Sequence, residues 1–185
     1  SALDAIDSAG IGADYLERTA ALYGGRSHLI DKNPRNVFAA GLIAKALPQA
    51  RILCLVRAPA DACFSNLKEL FPGAGYGYSY DFAEMATQNR LFRQLGGAMQ
   101  RALPGRFEAI SYEELATSPK RVADRIVRAL GLSPQLGLTD TSNDDRPVFS
   151  ASATQVRQPV HTGNIGAWRR YARQLEPLRE MVGED

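Results

Sequence analysis

The sequence is poor in the residues that build disulfide scaffolds and metal centres. Among 185 residues it has two cysteines, Cys54 and Cys63, and two histidines, His28 and His161. Disulfide-stabilised small domains need several cysteine pairs, so that class of protein is excluded. Cys54 lies in an apolar strand pattern and Cys63 on a predicted helix, which favours two buried thiols in a reducing compartment over a redox pair. No cysteine and histidine grouping has the spacing of a zinc site, so we expect no metal.

The sequence also lacks a strong charge imbalance and long apolar runs. Lysine and arginine number 22 and aspartate and glutamate 20, and the resulting net charge of +2 is too small to indicate nucleic acid or membrane as a partner. No apolar run is long enough to span a bilayer, and the first ten residues lack the basic and apolar regions of a signal peptide. We therefore expect a cytoplasmic protein. Its 45% hydrophobic residues suit one domain with a full core over residues 1–185.

The pattern of apolar residues predicts strands that alternate with helices. Strands are predicted at 28–30, 51–56 and 107–110, and helices at 3–23, 37–47, 60–70, 82–103, 112–116, 119–130, 165–171 and after Glu176. The uninterrupted apolar run RILCLV at 51–56 is typical of a parallel strand that is covered on both faces. This order predicts an α/β fold in which helices flank a parallel sheet.

Arg57 directly follows the strand predicted at 51–56. Ligands bind at this carboxyl edge in open α/β sheets, and the helix that begins at once turns its free N–H groups to the same region. Ser65 lies about two turns along that helix. A guanidinium and a hydroxyl together suit a phosphate. In the alternative interpretation Arg57 caps the strand or pairs with Asp61, and Ser65 is a surface serine. The motif alone leaves both interpretations open.

Lys32 lies in a polar turn between the strand predicted at 28–30 and the helix that follows. We therefore expect it at the same edge of the sheet, where its charge could neutralise a phosphate or sulfonyl oxygen in a transition state. The alternative is a capping turn in which Asp31 or Asn33 caps the helix. Tyr112 follows the third strand and is expected at this edge too, although Ser111 with a glutamate three positions later also reads as a capping box.

Two further segments have the composition of ligand-binding loops. Residues 150–160 combine hydroxyls, amides and Arg157 with little helical or strand pattern, and His161 follows. This composition favours an anion site over a plain surface loop. Residues 72–80 are rich in glycine and tyrosine, which suits either a lid on the acceptor side or a turn whose tyrosines pack on the core.

The order and spacing of these segments resemble a known family. The stretches that carry the resemblance are DKNPRNVFAAGLIAKALPQARILCLVRAPADACFSNL, SYEELATSP, RALGL and TQVRQPVHTGNIGAWRRY. They resemble the sulfotransferases that use 3′-phosphoadenosine 5′-phosphosulfate (PAPS), most closely the tyrosylprotein sulfotransferase-like group that in bacteria often follows tetratricopeptide repeats. The resemblance implies a P-loop-kinase-like α/β fold and transfer of a sulfonate from PAPS to a hydroxyl or phenol. The implied acceptor is a protein tyrosine, a carbohydrate or a small molecule, and no metal is implied.

The resemblance also implies roles for individual residues. Arg57 and Ser65 resemble the ligands of the donor's 3′-phosphate, Tyr112 the aromatic residue near the adenosine, and Lys32 the catalytic lysine at the transferred sulfonate. The loop that closes over the nucleotide corresponds to Ser152, Thr154, Gln155, Val156, Arg157, Gln158, Pro159 and Val160, and Ser152 is also a candidate catalytic residue.

The sequence departs from the family pattern at several points. It has no 5′-phosphosulfate loop of the form GxxRSGTT, since GGRS at 24–27 precedes a predicted strand, and the family's general base belongs to the same region. Glu69 and Ala167 stand where tyrosylprotein sulfotransferases place basic residues. We therefore expect the chain to be the C-terminal major part of a sulfotransferase domain that binds donor poorly in isolation. The alternatives are a kinase of the related P-loop fold and a non-catalytic module that binds a nucleotide, a partner or a sulfated ligand.

Overall fold

The structure is a computed structural model that describes residues 6–71, 74–133 and 160–183. Its α-helices are α1 (Ser8–Tyr23), α2 (Ala40–Ala46), α3 (Pro59–Lys68), α4 (Phe82–Ala102), α5 (Tyr112–Thr117), α6 (Pro119–Ala129) and α7 (Glu176–Val182). Its strands are β1 (Ile52–Val56) and β2 (Phe107–Ser111), and its 3₁₀ helices are Pro34–Ala39, Ala74–Tyr80 and Ala167–Tyr171.

The contacts between residues divide the chain into two compact units. The first unit comprises Ser1–Cys54 and Gln94–Glu108, and the second comprises Leu55–Arg93 and Ala109–Asp185.

In the first unit, α1 packs closely against α2. The carboxylate of Asp7 caps α1 by accepting the backbone N–H of Gly10 at 2.9 Å, and α1 ends at Gly24 in the left-handed conformation. A Cβ atom at Gly12 would lie only 2.0 Å from the carbonyl oxygen of Ala46, so the two helices approach at a distance that requires glycine. The predicted helix at 3–23 is thus confirmed from Ser8 onward.

Arg106 closes the C-terminal end of α2. Its guanidinium donates to the carbonyl oxygens of Ala44 and Leu47 at 2.9 Å each and of Ala50 at 3.3 Å. The last carbonyls of a helix have no partner within the helix, so this side chain satisfies groups that would otherwise need water. Arg106 directly precedes β2, so these hydrogen bonds connect the start of β2 to the end of α2 and to the turn that leads into β1.

The strands β1 and β2 form a two-stranded parallel sheet. Two of the three predicted strands are therefore confirmed, whereas the strand predicted at 28–30 is wrong. Residues 28–30 have no regular structure, and Ile30 is 89% exposed, because no neighbouring strand pairs with this segment among the described residues. The face of β1 that carries Leu53 and Leu55 is also exposed, so within the described ranges only the face with Cys54 is buried.

The core of the second unit surrounds α3. It is a cluster of buried side chains from α3, the first half of α4, the last 3₁₀ helix and α7, and its members are Ala60, Cys63, Phe64, Met85, Ala86, Trp168, Leu175 and Leu178. Cys54 and Cys63 are both buried, as the sequence predicted, and no disulfide joins them. This core fixes α3 and thus the residues at its start.

The remaining helix predictions agree closely with the structure. Asp81 caps α4 by accepting the backbone N–H of Glu84 at 2.9 Å. Residues 74–80, predicted as a loop, instead form a 3₁₀ helix. Within the described ranges, the two strands give the α/β character and helices make up most of the rest.

Candidate functional site

Arg57 lies between the end of β1 and the start of α3, and the residues around its guanidinium include Tyr112, Asn164 and Asp61. The guanidinium carbon lies 4.5 Å from the centroid of the Tyr112 ring, which is a cation–π distance. One terminal nitrogen, Nη2, donates a hydrogen bond to the backbone carbonyl of Asn164. The side chain is 17% exposed. The structure therefore brings Arg57 and Tyr112 together, and it adds a partner from the C-terminal part of the chain.

Asp61 is also a neighbour of Arg57. It lies one turn along α3, its side chain is 2% exposed, and its Oδ1 atom is 3.7 Å from Nη2 of Arg57. Its other oxygen, Oδ2, accepts the backbone N–H of Gly166 at 2.6 Å. The pairing of Arg57 with Asp61, which the sequence left open, is thus present. The partners Asn164 and Gly166 were not predicted as site residues.

A second carboxylate occupies the start of α3. Glu113 accepts the backbone N–H of Ala58 at 2.9 Å with Oε1 and the hydroxyl of Ser111 at 2.8 Å with Oε2. We expected free N–H groups at this helix start, but the N–H at its N-cap is already bonded. Burial raises the pKa of Glu113, but the N–H of Ala58, its own N–H, the hydroxyl of Ser111 and the charge of Arg57 together hold that pKa below its ordinary value. The carboxylate is therefore ionised at neutral pH.

Ser65 lies on α3, one turn beyond Asp61, and is partly buried. Its hydroxyl makes no hydrogen bond to any residue of the described ranges. A hydroxyl in this state can donate to a ligand, which is the property that the sequence prediction required of it. Its role as a phosphate ligand stays a prediction.

Lys32 is exposed in the first unit, in the turn before the 3₁₀ helix Pro34–Ala39. Its neighbours form the predicted polar turn: Asn33 caps the 3₁₀ helix, and Asp31 accepts the hydroxyl of Tyr15 at 3.0 Å and the amide of Asn36 at 3.2 Å. Because no strand precedes this turn, the reason for placing Lys32 at the sheet edge is lost. Its catalytic role stays a prediction from the resemblance.

The turn at the start of α5 has the expected cap. The hydroxyl of Ser111 accepts the backbone N–H of Glu114 at 3.1 Å. The carboxylate of Glu114 pairs with Arg125 at 3.1 Å and with Arg121 at 3.2 Å, both on α6. Tyr112 is the first residue of α5 and therefore lies at a capped helix start. Its neighbours Ser111 and Glu114 make structural contacts there.

Most of the predicted nucleotide loop lies outside the described residues. This applies to Ser152, Thr154, Gln155, Val156, Arg157, Gln158 and Pro159. Val160 is described and is 46% exposed. Beyond it, the imidazole of His161 accepts the backbone N–H of Gly163 at 3.1 Å through Nδ1, so this histidine shapes its own turn.

The tyrosines of the glycine-rich segment mostly pack inward. Tyr76 stacks on Phe71 with ring centroids 4.6 Å apart, and Tyr78 packs against the core cluster. Burial raises the pKa of the Tyr78 hydroxyl. Ser79 is fully buried and donates to the carbonyl of Tyr76 at 2.8 Å. This agrees with the packing interpretation for these residues, while Tyr80 is 57% exposed.

Two classes of feature are absent from the part of the chain that the structure describes. No group of three or more histidine, cysteine or acidic side chains is placed to hold a metal ion. In the same ranges, none of the helices combines the length and the apolar character that crossing a bilayer requires.

Comparison with known proteins identifies the family. A family model described as "Sulfotransferase family" matches residues 4–135, a range that includes Lys32, Arg57, Ser65 and Tyr112. A protein of Aquifex aeolicus (strain VF5), described as "Uncharacterized protein", is 27% identical over 172 residues. The match covers 92% of this chain and 23% of that relative, so the chain spans less than a quarter of its relative's length. Since the family model covers well over half of the chain, the chain belongs to the sulfotransferase family.

Proposed function

We propose that the protein transfers a sulfonate from PAPS to a hydroxyl or phenol, with Arg57 as a ligand of the donor's 3′-phosphate. Membership of the sulfotransferase family supplies the class of reaction. The observation that carries the assignment of the site is the guanidinium of Arg57, which lies at the end of β1 and 4.5 Å from the ring of Tyr112. A cation beside an aromatic ring suits a ligand that has both a phosphate and a purine.

The unsatisfied polar groups around Arg57 fit a phosphate. Its Nε–H is buried and has no hydrogen-bond partner within the described ranges. The hydroxyl of Ser65 is also without one there. Buried polar groups are normally hydrogen-bonded, so the buried donor of Arg57, together with the open hydroxyl of Ser65 further along α3, supports an anion as the ligand. A phosphate oxygen would accept from both and would form charge-assisted bonds with the guanidinium.

The other roles follow the resemblance to sulfotransferases. PAPS, when bound, supplies the sulfonate and leaves as adenosine 3′,5′-bisphosphate. The ring of Tyr112 would orient the adenosine, and residues 152–160, with Ser152 and Arg157, would enclose the nucleotide. The ammonium group of Lys32 would stabilise negative charge on the sulfonyl and bridging oxygens. These residues act by positioning and by charge neutralisation, and none of these steps needs a metal.

The acceptor and the setting of the whole protein are also proposals. A protein tyrosine, a carbohydrate and a small phenol each offer the required hydroxyl. A cytoplasmic bacterial enzyme with tetratricopeptide repeats ahead of this domain is what the resemblance supports.

A calorimetric titration of the full-length protein with adenosine 3′,5′-bisphosphate tests the proposal. We expect binding to the wild type and a loss of most of that binding in Arg57→Ala. Arg90→Ala is the matched control, because Arg90 is an exposed arginine of the same unit whose bond goes to Thr87 on its own helix. Equal affinity in the wild type and in Arg57→Ala would contradict the assignment of the site.

Competition and turnover assays separate the other functions. Binding of ATP but not of the bisphosphate would indicate a kinase, since a kinase has no need to recognise a 3′-phosphate. Binding of the bisphosphate by a full-length protein that transfers no sulfonate to phenol, tyrosine peptide or carbohydrate would indicate a non-catalytic module.

A further inference from the structure

Asp61 is a buried carboxylate at the centre of the contacts around Arg57. Its side chain is 2% exposed, and it lies in the first turn of α3. Burying a carboxylate costs free energy unless it is paired and hydrogen-bonded, so the contacts of Asp61 offset the cost of its burial. Those contacts reach a part of the chain more than a hundred residues away.

Asp61 and Arg57 hold the same short segment at two points. Oδ2 of Asp61 accepts the N–H of Gly166 at 2.6 Å, and Nη2 of Arg57 donates to the carbonyl of Asn164. The direct distance between Asp61 and Arg57 is 3.7 Å, which is an ion pair but longer than a hydrogen bond. The carboxylate therefore acts on Arg57 in two ways, by its charge and through the segment that both side chains bind.

The site has a second carboxylate, but its bonds serve a different purpose. Glu113 accepts from Ala58 and Ser111, which lie at the starts of α3 and α5. In the described ranges, Oδ1 of Asp61 has no hydrogen-bond partner, and the charge of Arg57, the bond to Gly166 and the first turn of α3 compensate its burial. The segment around Gly166 thus depends on Asp61, whereas the helix starts depend on Glu113.

We propose that Asp61 is a positioning residue of the donor site, which anchors residues 164–166 to α3 and fixes the orientation of the Arg57 guanidinium. This proposal rests on the proposed function, in which Arg57 binds the 3′-phosphate. A guanidinium that is already oriented loses less freedom when the phosphate binds, so the anchor raises the affinity for the donor. Gly166 suits the anchor because its φ of 69° is left-handed, and a Cβ atom there would meet the guanidinium of Arg169.

A purely electrostatic role of Asp61 predicts the opposite result. A negative charge 3.7 Å from Arg57 repels a phosphate, so removal of that charge alone would tighten binding. Removal of an anchor would weaken binding, since Arg57 and residues 164–166 would lose their fixed arrangement. The direction of the change therefore distinguishes the two roles.

The experiment compares Asp61→Asn and Asp61→Ala with the wild-type full-length protein. Affinity for adenosine 3′,5′-bisphosphate is measured by calorimetry, and amide hydrogen exchange at Gly166 is measured without ligand. We expect Asp61→Asn to weaken binding about tenfold and to speed exchange severalfold, because a neutral oxygen accepts about half as strongly as a carboxylate. Asp61→Ala removes the acceptor and should speed exchange at least about tenfold. Circular dichroism checks folding, and Asp61→Asn is nearly isosteric if the alanine variant does not fold.

Asp124→Asn is the matched control. Asp124 also belongs to an (i, i+4) ion pair of the second unit, with Lys120 at 2.6 Å, but this pair lies on α6 and is more exposed. We expect neither binding nor exchange at Gly166 to change in this variant. Equal or tighter binding by Asp61→Asn, or unchanged exchange at Gly166 in the Asp61 variants, would overturn the proposal. A wild type that fails to bind the bisphosphate would refute the proposed function. Hydrogen exchange at Gly166 is measured without nucleotide, so it would still test whether Asp61 anchors residues 164–166.

Discussion

The guanidinium of Arg57 lies 4.5 Å from the centre of the Tyr112 ring, although 54 residues separate them in the chain. The pairing of β1 with β2 explains this contact, because Arg57 follows the last residue of β1 and Tyr112 follows the last residue of β2. Two parallel neighbouring strands end at the same edge of their sheet, so the residues that follow them meet there.

Tyr112 should contribute to nucleotide binding through its ring and not through its hydroxyl. We expect Tyr112→Leu to weaken the affinity for adenosine 3′,5′-bisphosphate by about 1–2 kcal/mol, since it removes both the cation–π contact and a surface for the purine. Tyr112→Phe keeps the ring and should bind almost as tightly as the wild type. Calorimetric titration of the three proteins tests this, and an equal loss in the phenylalanine and leucine variants would show that the hydroxyl matters instead.

Arg106 should stabilise the fold without a part in donor binding. Arg106→Met keeps the aliphatic stem but leaves the carbonyls of Ala44, Leu47 and Ala50 without their donor. We expect the free energy of unfolding to fall by about 2–4 kcal/mol, as for the loss of several hydrogen bonds to a charged group. Urea denaturation measures the change, and Arg101→Met, at an exposed position on α4, is the control. If Arg106→Met unfolds at the same urea concentration as the wild type, the three bonds contribute nothing to stability.

Gly12 and Gly96 should respond in opposite directions to the same substitution. A Cβ atom at Gly12 would lie 2.0 Å from the carbonyl oxygen of Ala46, whereas a Cβ atom at Gly96 on α4 meets nothing within 4 Å. We expect Gly12→Ala to lower the free energy of unfolding by about 1–3 kcal/mol, because α1 and α2 must move apart. Gly96→Ala should raise it by about 0.5–1 kcal/mol, since alanine favours a helix. Thermal denaturation gives both shifts, and equal shifts would contradict the close approach of the helices.

The sequence predicted the order of strand, arginine and helix around Arg57, where local patterns define it, and missed the contacts of Arg57 and Asp61 whose partners are distant in the chain. The apolar run before Arg57 and the helical pattern after it were enough to place a strand, an arginine and a helix in the correct order. The same local reasoning produced a false strand at 28–30, because three residues with apolar character do not reveal whether another strand is available to pair with them. The contacts of Asp61 and Arg57 with Gly166 and Asn164 leave no periodic signal, since they join side chains to backbone groups about a hundred residues away.

Glu113 should make stability depend on pH in the acidic range. Its pKa in the folded protein is lowered, so folding favours the ionised form relative to the unfolded chain, whose glutamates have a pKa of about 4.3. Its contribution to the free energy of unfolding is therefore fully present above the unfolded pKa and is lost as the pH falls from there through the lower folded pKa.

Glu113→Gln removes the charge and weakens the bonds to Ala58 and Ser111. We expect this variant to be less stable than the wild type at pH 7 and the difference to shrink as the pH falls below about 4.3. Urea denaturation at several pH values measures the difference. Glu176→Gln is the control, because Glu176 is an exposed residue at the start of α7. A difference between Glu113→Gln and the wild type that stays constant down to acidic pH would show that the bonds of Glu113 do not depend on its charge.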